Sequence, residues 1–180
     1  MTGFKLNKNY KKPYNYYPKD KFELNRLIWR LVKDRGVNAN LNDIDTSQIT
    51  DMSYLFYHGD FNGDISGWDV SNVIDMAFMF TRSTFTGKNG GISEWDVSNV
   101  INMGSMFRDS QFNNDISNWN VSNVINMDTM FMSSKFDGDI SKWDVSNVEN
   151  MSGMFFDSVF NGNISNWNTK KVKNMFSYAF

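Results

Sequence analysis

Few residues in this chain could do covalent chemistry, and they do not converge. There is one histidine, His58, and no cysteine. A hydrolase triad or an imidazole metal centre needs more than one such group, and no thiolate site can be built. His58, in the loop Tyr57-His58-Gly59-Asp60, reads as a solvated loop residue. Gly87-Lys88-Asn89-Gly90-Gly91 lacks the spacing of a phosphate loop. Asn120, Asn150 and Asn163 open N-x-S sequons, which chance produces in so Asn- and Ser-rich a chain. Ten of the twelve methionines fall in repeated apolar slots, which reads as adaptable core filling rather than a metal or haem box. The recurring carboxylates are more suggestive. Asp45, Asp69, Asp96, Asn120, Asp144 and Asn168 each follow the same apolar slot, so stacked copies would align them in a column whose like charges repel. Three readings stay open: a ladder bonded to local backbone amides, an acidic stripe for a basic partner, or a calcium array, for which two or three oxygens per site fall short of six. No catalysis and no cofactor are expected.

Elements that would position these residues follow from self-similarity. Trp68, Trp95, Trp119, Trp143 and Trp167 are 27, 24, 24 and 24 residues apart. Around them WDVSNV recurs at 68–73, 95–100 and 143–148, WNVSNV at 119–124 and WNTKKV at 167–172, with IDTSQI at 44–49 as a first copy. Each continues M-x-x-M-F, as in Met103, Met106 and Phe107, then a further phenylalanine and an Asx/Gly turn. Ile-x-x-Trp-x-Val alternates like a short strand. From Val73 the spacing of three and four predicts a short helix carrying Val73, Met76 and Phe80, with Ser71 or Asn72 at its cap. A unit this small buries its apolar face only by stacking. The expected fold class is therefore an α/β repeat solenoid, one short parallel strand and one short helix per turn of roughly 24 residues. The three-residue insertion at 86–91 implies an outward-facing loop.

The text W-D-V-S-N-V-x-x-M-x-x-M-F with F-N-x-D-I-S between copies resembles the BspA-like surface-protein repeats, a divergent bacterial branch of the leucine-rich repeats, over residues 38–180. The resemblance implies a solenoid or shallow horseshoe, with adhesion or protein binding as its activity. It also implies a bacterial cell surface, although the first twenty residues hold no apolar run of about seven and no stretch approaches about 18 apolar residues. A leaderless copy suits an intracellular, virion-associated or bacteriophage-encoded binder instead.

The domain reading is a basic aromatic segment over 1–19, a capping helix over 20–36 and repeats over 38–180. Residues 1–19 hold five lysines (Lys5, Lys8, Lys11, Lys12, Lys19) and no acid, whereas 44–169 hold 16 acids and five bases. An acidic body argues against a nucleic-acid partner. Asp20 and Glu23 resemble a capping box and Gly36 a stop. Leu24, Leu27, Ile28, Leu31 and Val32 would cover the first copy, and Phe22 and Trp29 need cover from residues 4–17 or from a partner. Two faces are candidates for protein binding. One is the Asp69, Asp96, Asn120, Asp144 column beside the copy-specific slot Asp43, Gly67, Glu94, Asn118, Lys142 and Asn166. The other is an apolar stripe of Ile74, Phe78, Ile101 and Ile125, ended by Glu149 and Lys173, for which contact between adjacent turns is the alternative. At the last copy, Lys170 and Lys171 would blunt a sheet edge, or that end, with Tyr178 and Phe180, would be an assembly face joining copies of the chain.

Overall fold

The computed structural model describes residues 14–174. Helix α1 spans Lys21–Arg35. The Asp20 side chain accepts from the Glu23 amide at 2.9 Å, and the Glu23 carboxylate accepts from the Lys19 amide at 3.0 Å. One orphan amide of the first turn, that of Glu23, is thus met, and the returning bond to Lys19, just before the cap, fixes the entry of the chain. Gly36, at φ 90°, ends the helix and its amide returns to the Val32 carbonyl. Leu24, Ile28, Leu31 and Val32 are buried against the first copy. Trp29 packs edge-on to Phe56 and against Gly59, so the first copy covers it, while Phe22 stays 70% exposed.

The remainder overturns the α/β expectation. Among the described residues α1 is the one α-helix, no strand exceeds an isolated bridge, and no sheet forms. The residues read as a strand are β-turns: the Trp68 amide bonds to the Ile65 carbonyl and the Val73 amide to that of Val70. The residues read as a helix are also turns, with the Met79 amide bonded to Met76 and the Ser83 amide to Phe80. Each places a left-handed residue third, Phe78 at φ 58° and Arg82 at φ 55°. The same two slots recur as Ser105 and Asp109, Thr129 and Ser133, Gly153 and Asp157. A left-handed non-glycine residue costs roughly 1–2 kcal/mol and cannot propagate an α-helix. It is repaid here by exchange between copies: the Met76, Phe78, Phe80 and Arg82 amides donate to the Asn102, Gly104, Met106 and Arg108 carbonyls.

From residue 95 to 166 each copy is thus a coil with four corners, and a short polar side chain holds each corner by accepting the amide two residues on. In the coil 95–118 these are Asp96 to Ser98, Asn102 to Gly104, Ser110 to Phe112 and Asp115 to Ser117. Ser71 and Asn72 cap no helix. Ser71 donates to Asp69, and Asn72 donates to the Ser47 carbonyl.

Coils lie one upon another in register. Parallel bridges join Asp51, Asp75, Asn102, Asn126, Asn150 and Asn174 in succession, one residue per coil. Phe56, Phe80, Phe107, Phe131 and Phe155 stack at 5.3–5.8 Å, and a second file runs Phe61, Phe85, Phe112, Phe136 and Phe160. Trp68 stacks on Trp95, and Trp119 on Trp143 on Trp167. The indole N–H of each of these five tryptophans reaches back one copy, as Trp119 Nε1 does to the Ile92 carbonyl at 2.9 Å. Such aromatic pairs add about 0.5–1.5 kcal/mol each beyond their buried area. The insertion at 86–91 does not simply face outward: Gly87 is buried, and Asn89 donates to the Asn62 carbonyl one copy earlier. Residues 14–16 extend the stack at its start, where Tyr16 forms a parallel bridge with Ile44.

Candidate functional site

The aspartate column sits on one corner of the stack. Asp69 Oδ1 accepts from the Ser71 amide at 3.0 Å and its hydroxyl at 2.6 Å, and Asn120 does the same with Ser122 at 3.2 and 2.7 Å. Asp96 and Asp144 accept from the Ser98 and Ser146 amides. Asp and Asn interchange here because the corner requires only an acceptor at Oδ1. Hydrogen bonds from the Ser98 side chain and amide hold the Asp96 carboxyl below the usual range, and those from Ser146 do so for Asp144. Each bond uses one oxygen, and all three aspartates stay exposed. None of them enters an ion pair among the described residues. Tyr14 meets the start of the column: burial, then the charges of Asp45 and Asp69, pushes its phenol up. No group of three or more His, Cys, Asp or Glu able to hold a metal occurs among the described residues.

Three residues past that corner begins a groove. Its apolar row is Ile74, Ile101 and Ile125, exposed by 47, 42 and 43%. Neighbouring coils therefore leave almost half of each isoleucine uncovered. The row is held rigidly, because each member immediately precedes a bridge residue. The Ile101 amide donates to the Ile74 carbonyl and the Ile125 amide to that of Ile101, each at 2.9 Å. The facing wall is Asn72, Asn99, Asn123 and Asn147. Each donates through Nδ2 to a serine carbonyl one copy back, at 2.7–2.9 Å. Lys171 continues that wall and donates to Asn147 Oδ1 at 2.7 Å; Lys173 continues the apolar row and pairs with Glu149 Oε2 at 2.7 Å. Sequence reasoning missed the asparagine wall. Its signal was an asparagine repeated unchanged at one polar slot while the slot before tryptophan varied.

Phe78 does not join the isoleucines. Helical spacing put it one turn beyond Ile74, but its left-handed backbone lays the ring on Tyr54, at 4.7 Å and 8°. Of the copy-specific slot, Asp43 is spent on Arg35 at 2.9 Å and Gly67 on Asn42, while Glu94, Asn118, Lys142 and Asn166 remain exposed. His58 faces Arg82, Nε2 to Nη1 at 3.3 Å, and Arg82 pairs with Asp109. Lys170 is exposed. Lys5, Lys8, Lys11, Lys12, Tyr178 and Phe180 lie outside the described residues. No helix among the described residues is long and apolar enough to cross a membrane.

A family model described as "Mycoplasma protein of unknown function, DUF285" matches residues 27–131 and again residues 83–180. No curated protein matches the chain, and no solved structure does.

Proposed function

The chain belongs to the DUF285 family, and from that premise we propose that it is a non-catalytic binding protein that engages another protein along the groove between its asparagine wall and its isoleucine row. The carrying observation is the row itself: three isoleucines, each over two-fifths exposed, on backbone that the coil-to-coil ladder immobilises. A contiguous exposed apolar strip marks an interface, and a rigid one loses little entropy on binding. The kinship with BspA-like surface-protein repeats belongs to the same proposal. It rests on the W-D-V-S-N-V-x-x-M-x-x-M-F text and brings with it adhesion or protein binding as the activity.

Site-specific photo-crosslinking in the native host tests the reading. A crosslinker at position 101 or 125 should give a defined protein adduct that Ile74→Asp removes, and one at exposed Asn113 should give none. Equal adducts from all three positions, or none from the groove, would defeat it. A second reading, assembly through the last coil, draws on the partial burial of Phe160, Ile164, Trp167 and Val172. Light scattering after size exclusion decides it, since a monomer at every concentration removes the reading.

A further inference from the structure

Resting on the groove reading, we infer that the occupant is a basic amphipathic α-helix of a partner protein, lying along the stack axis with one aliphatic row on Ile74, Ile101 and Ile125 and one lysine or arginine row on the asparagine wall. Spacing argues for the helix. The isoleucine row repeats once per coil, at the roughly 4.8 Å that separates paired backbones. A helix presents a new side chain on one face every turn of about 5.4 Å, so three contacts stay in step within about 1.2 Å. An extended segment repeats a face only every two residues, about 6.7 Å, and is out of step by nearly a whole coil over the same span.

Charge argues for lysine and arginine. The wall asparagines spend Nδ2 on the stack, and Oδ1 of Asn72, Asn99 and Asn123 accepts no hydrogen bond among the described residues. The chain itself shows what that oxygen accepts: at the fourth asparagine, Asn147, the acceptor takes the Lys171 ammonium at 2.7 Å. Next to it, Lys173 covers Glu149 in the same way. A cationic row would repeat the Lys171 contact along the three earlier coils. Beyond the wall, bonds from Ser98 and Ser146 hold Asp96 and Asp144 ionised, and neither they nor Asp69 enters an ion pair among the described residues, which draws in positive charge and repels phosphate or an acidic peptide. Residues i and i+4 of a helix, whose Cβ atoms are about 5–6 Å apart, reach successive asparagines.

Fluorescence anisotropy with the full chain and synthetic stapled helices is the test. A peptide with leucine on one face and lysine on the flank should bind, more weakly as salt rises. Ile101→Asp should weaken it at least tenfold. Asp69→Asn, Asp96→Asn and Asp144→Asn together should weaken it several-fold and flatten the salt dependence; the fold survives because Asn120 already serves at that corner. Equal binding of a glutamate-flanked helix, or no loss with Ile101→Asp, overturns the inference. Tighter binding of a proline-interrupted extended peptide that Ile101→Asp abolishes overturns the helix and leaves the groove reading intact. If no peptide binds and crosslinkers at 101 and 125 also stay empty, both fall.

Discussion

The first and last coils carry similar residues in different states of burial. Against α1, Ile44, Leu55 and Phe56 are 0% exposed. At the other end Phe160, Ile164, Trp167 and Val172 are only partly buried, although their counterparts one copy earlier, Phe136, Ile140, Trp143 and Val148, are at most 4% exposed. The side chains hardly differ between these two copies, so what differs is the neighbour. In this fold burial is lent across a coil boundary rather than generated within a copy.

Breaking the lender should therefore cost more than trimming the borrower. Ile28→Ala in α1 is expected to destabilise by about 2–5 kcal/mol, and Ile164→Ala by less than half as much, in urea melts. Equal losses would dissolve the contrast. Trp119→Phe removes the indole bond and leaves the Ile92 carbonyl with the Trp95 amide alone, a loss of about 0.5–1.5 kcal/mol for that bond; Trp167→Phe, at the half-buried end, should lose clearly less by the same measurement. Ser133→Gly should raise stability, because φ 53° suits glycine, by up to about 1 kcal/mol net of its bond to Asp157. In a helix the same change would lower stability by a few tenths of a kcal/mol, so the sign alone decides the conformation.

The smallest effect concerns acid. At the first end the Arg35 hydrogen bond holds the Asp43 carboxyl below its usual range despite partial burial, and towards the other end Ser146 does so for Asp144. A carboxyl depressed in the folded state adds stability above its unfolded value and loses it as pH falls through the folded one. Both contributions should fade below about pH 4. Asp43→Asn should flatten that acid limb, as should Asp144→Asn, each by a few tenths of a kcal/mol or less.

Much of the core was legible in the text, because Trp68, Met76, Phe80 and Phe85 recur at slots that nothing but burial explains. The capping helix was legible too, through Asp20, Glu23 and Gly36. The secondary structure within a copy was not. Spacing of three is shared by a helix face and by the two ends of a β-turn, whose first and fourth residues also point together. Val70 and Val73, or Met76 and Met79, fit both. The left-handed slots that decide between them are filled by Phe78, Ser105 and Thr129, residues that give no hint of that backbone. The candidate groove was half visible. Ile74, Ile101 and Ile125 emerged as a stripe, Phe78 was wrongly added through the helical period, and the asparagine wall escaped because constant polar residues look like solvent-facing filler.

From Trp95 onward each indole reaches back to the isoleucine carbonyl of the copy before it, so these joints are interchangeable. Excising residues 119–142 would bring Trp143 to the Ile92 carbonyl that Trp119 now holds and shorten the isoleucine row by one member. Length in this architecture is a dial with discrete clicks. A gene losing or gaining 24 codons in frame would resize the recognition surface without having to reinvent a single contact inside the protein.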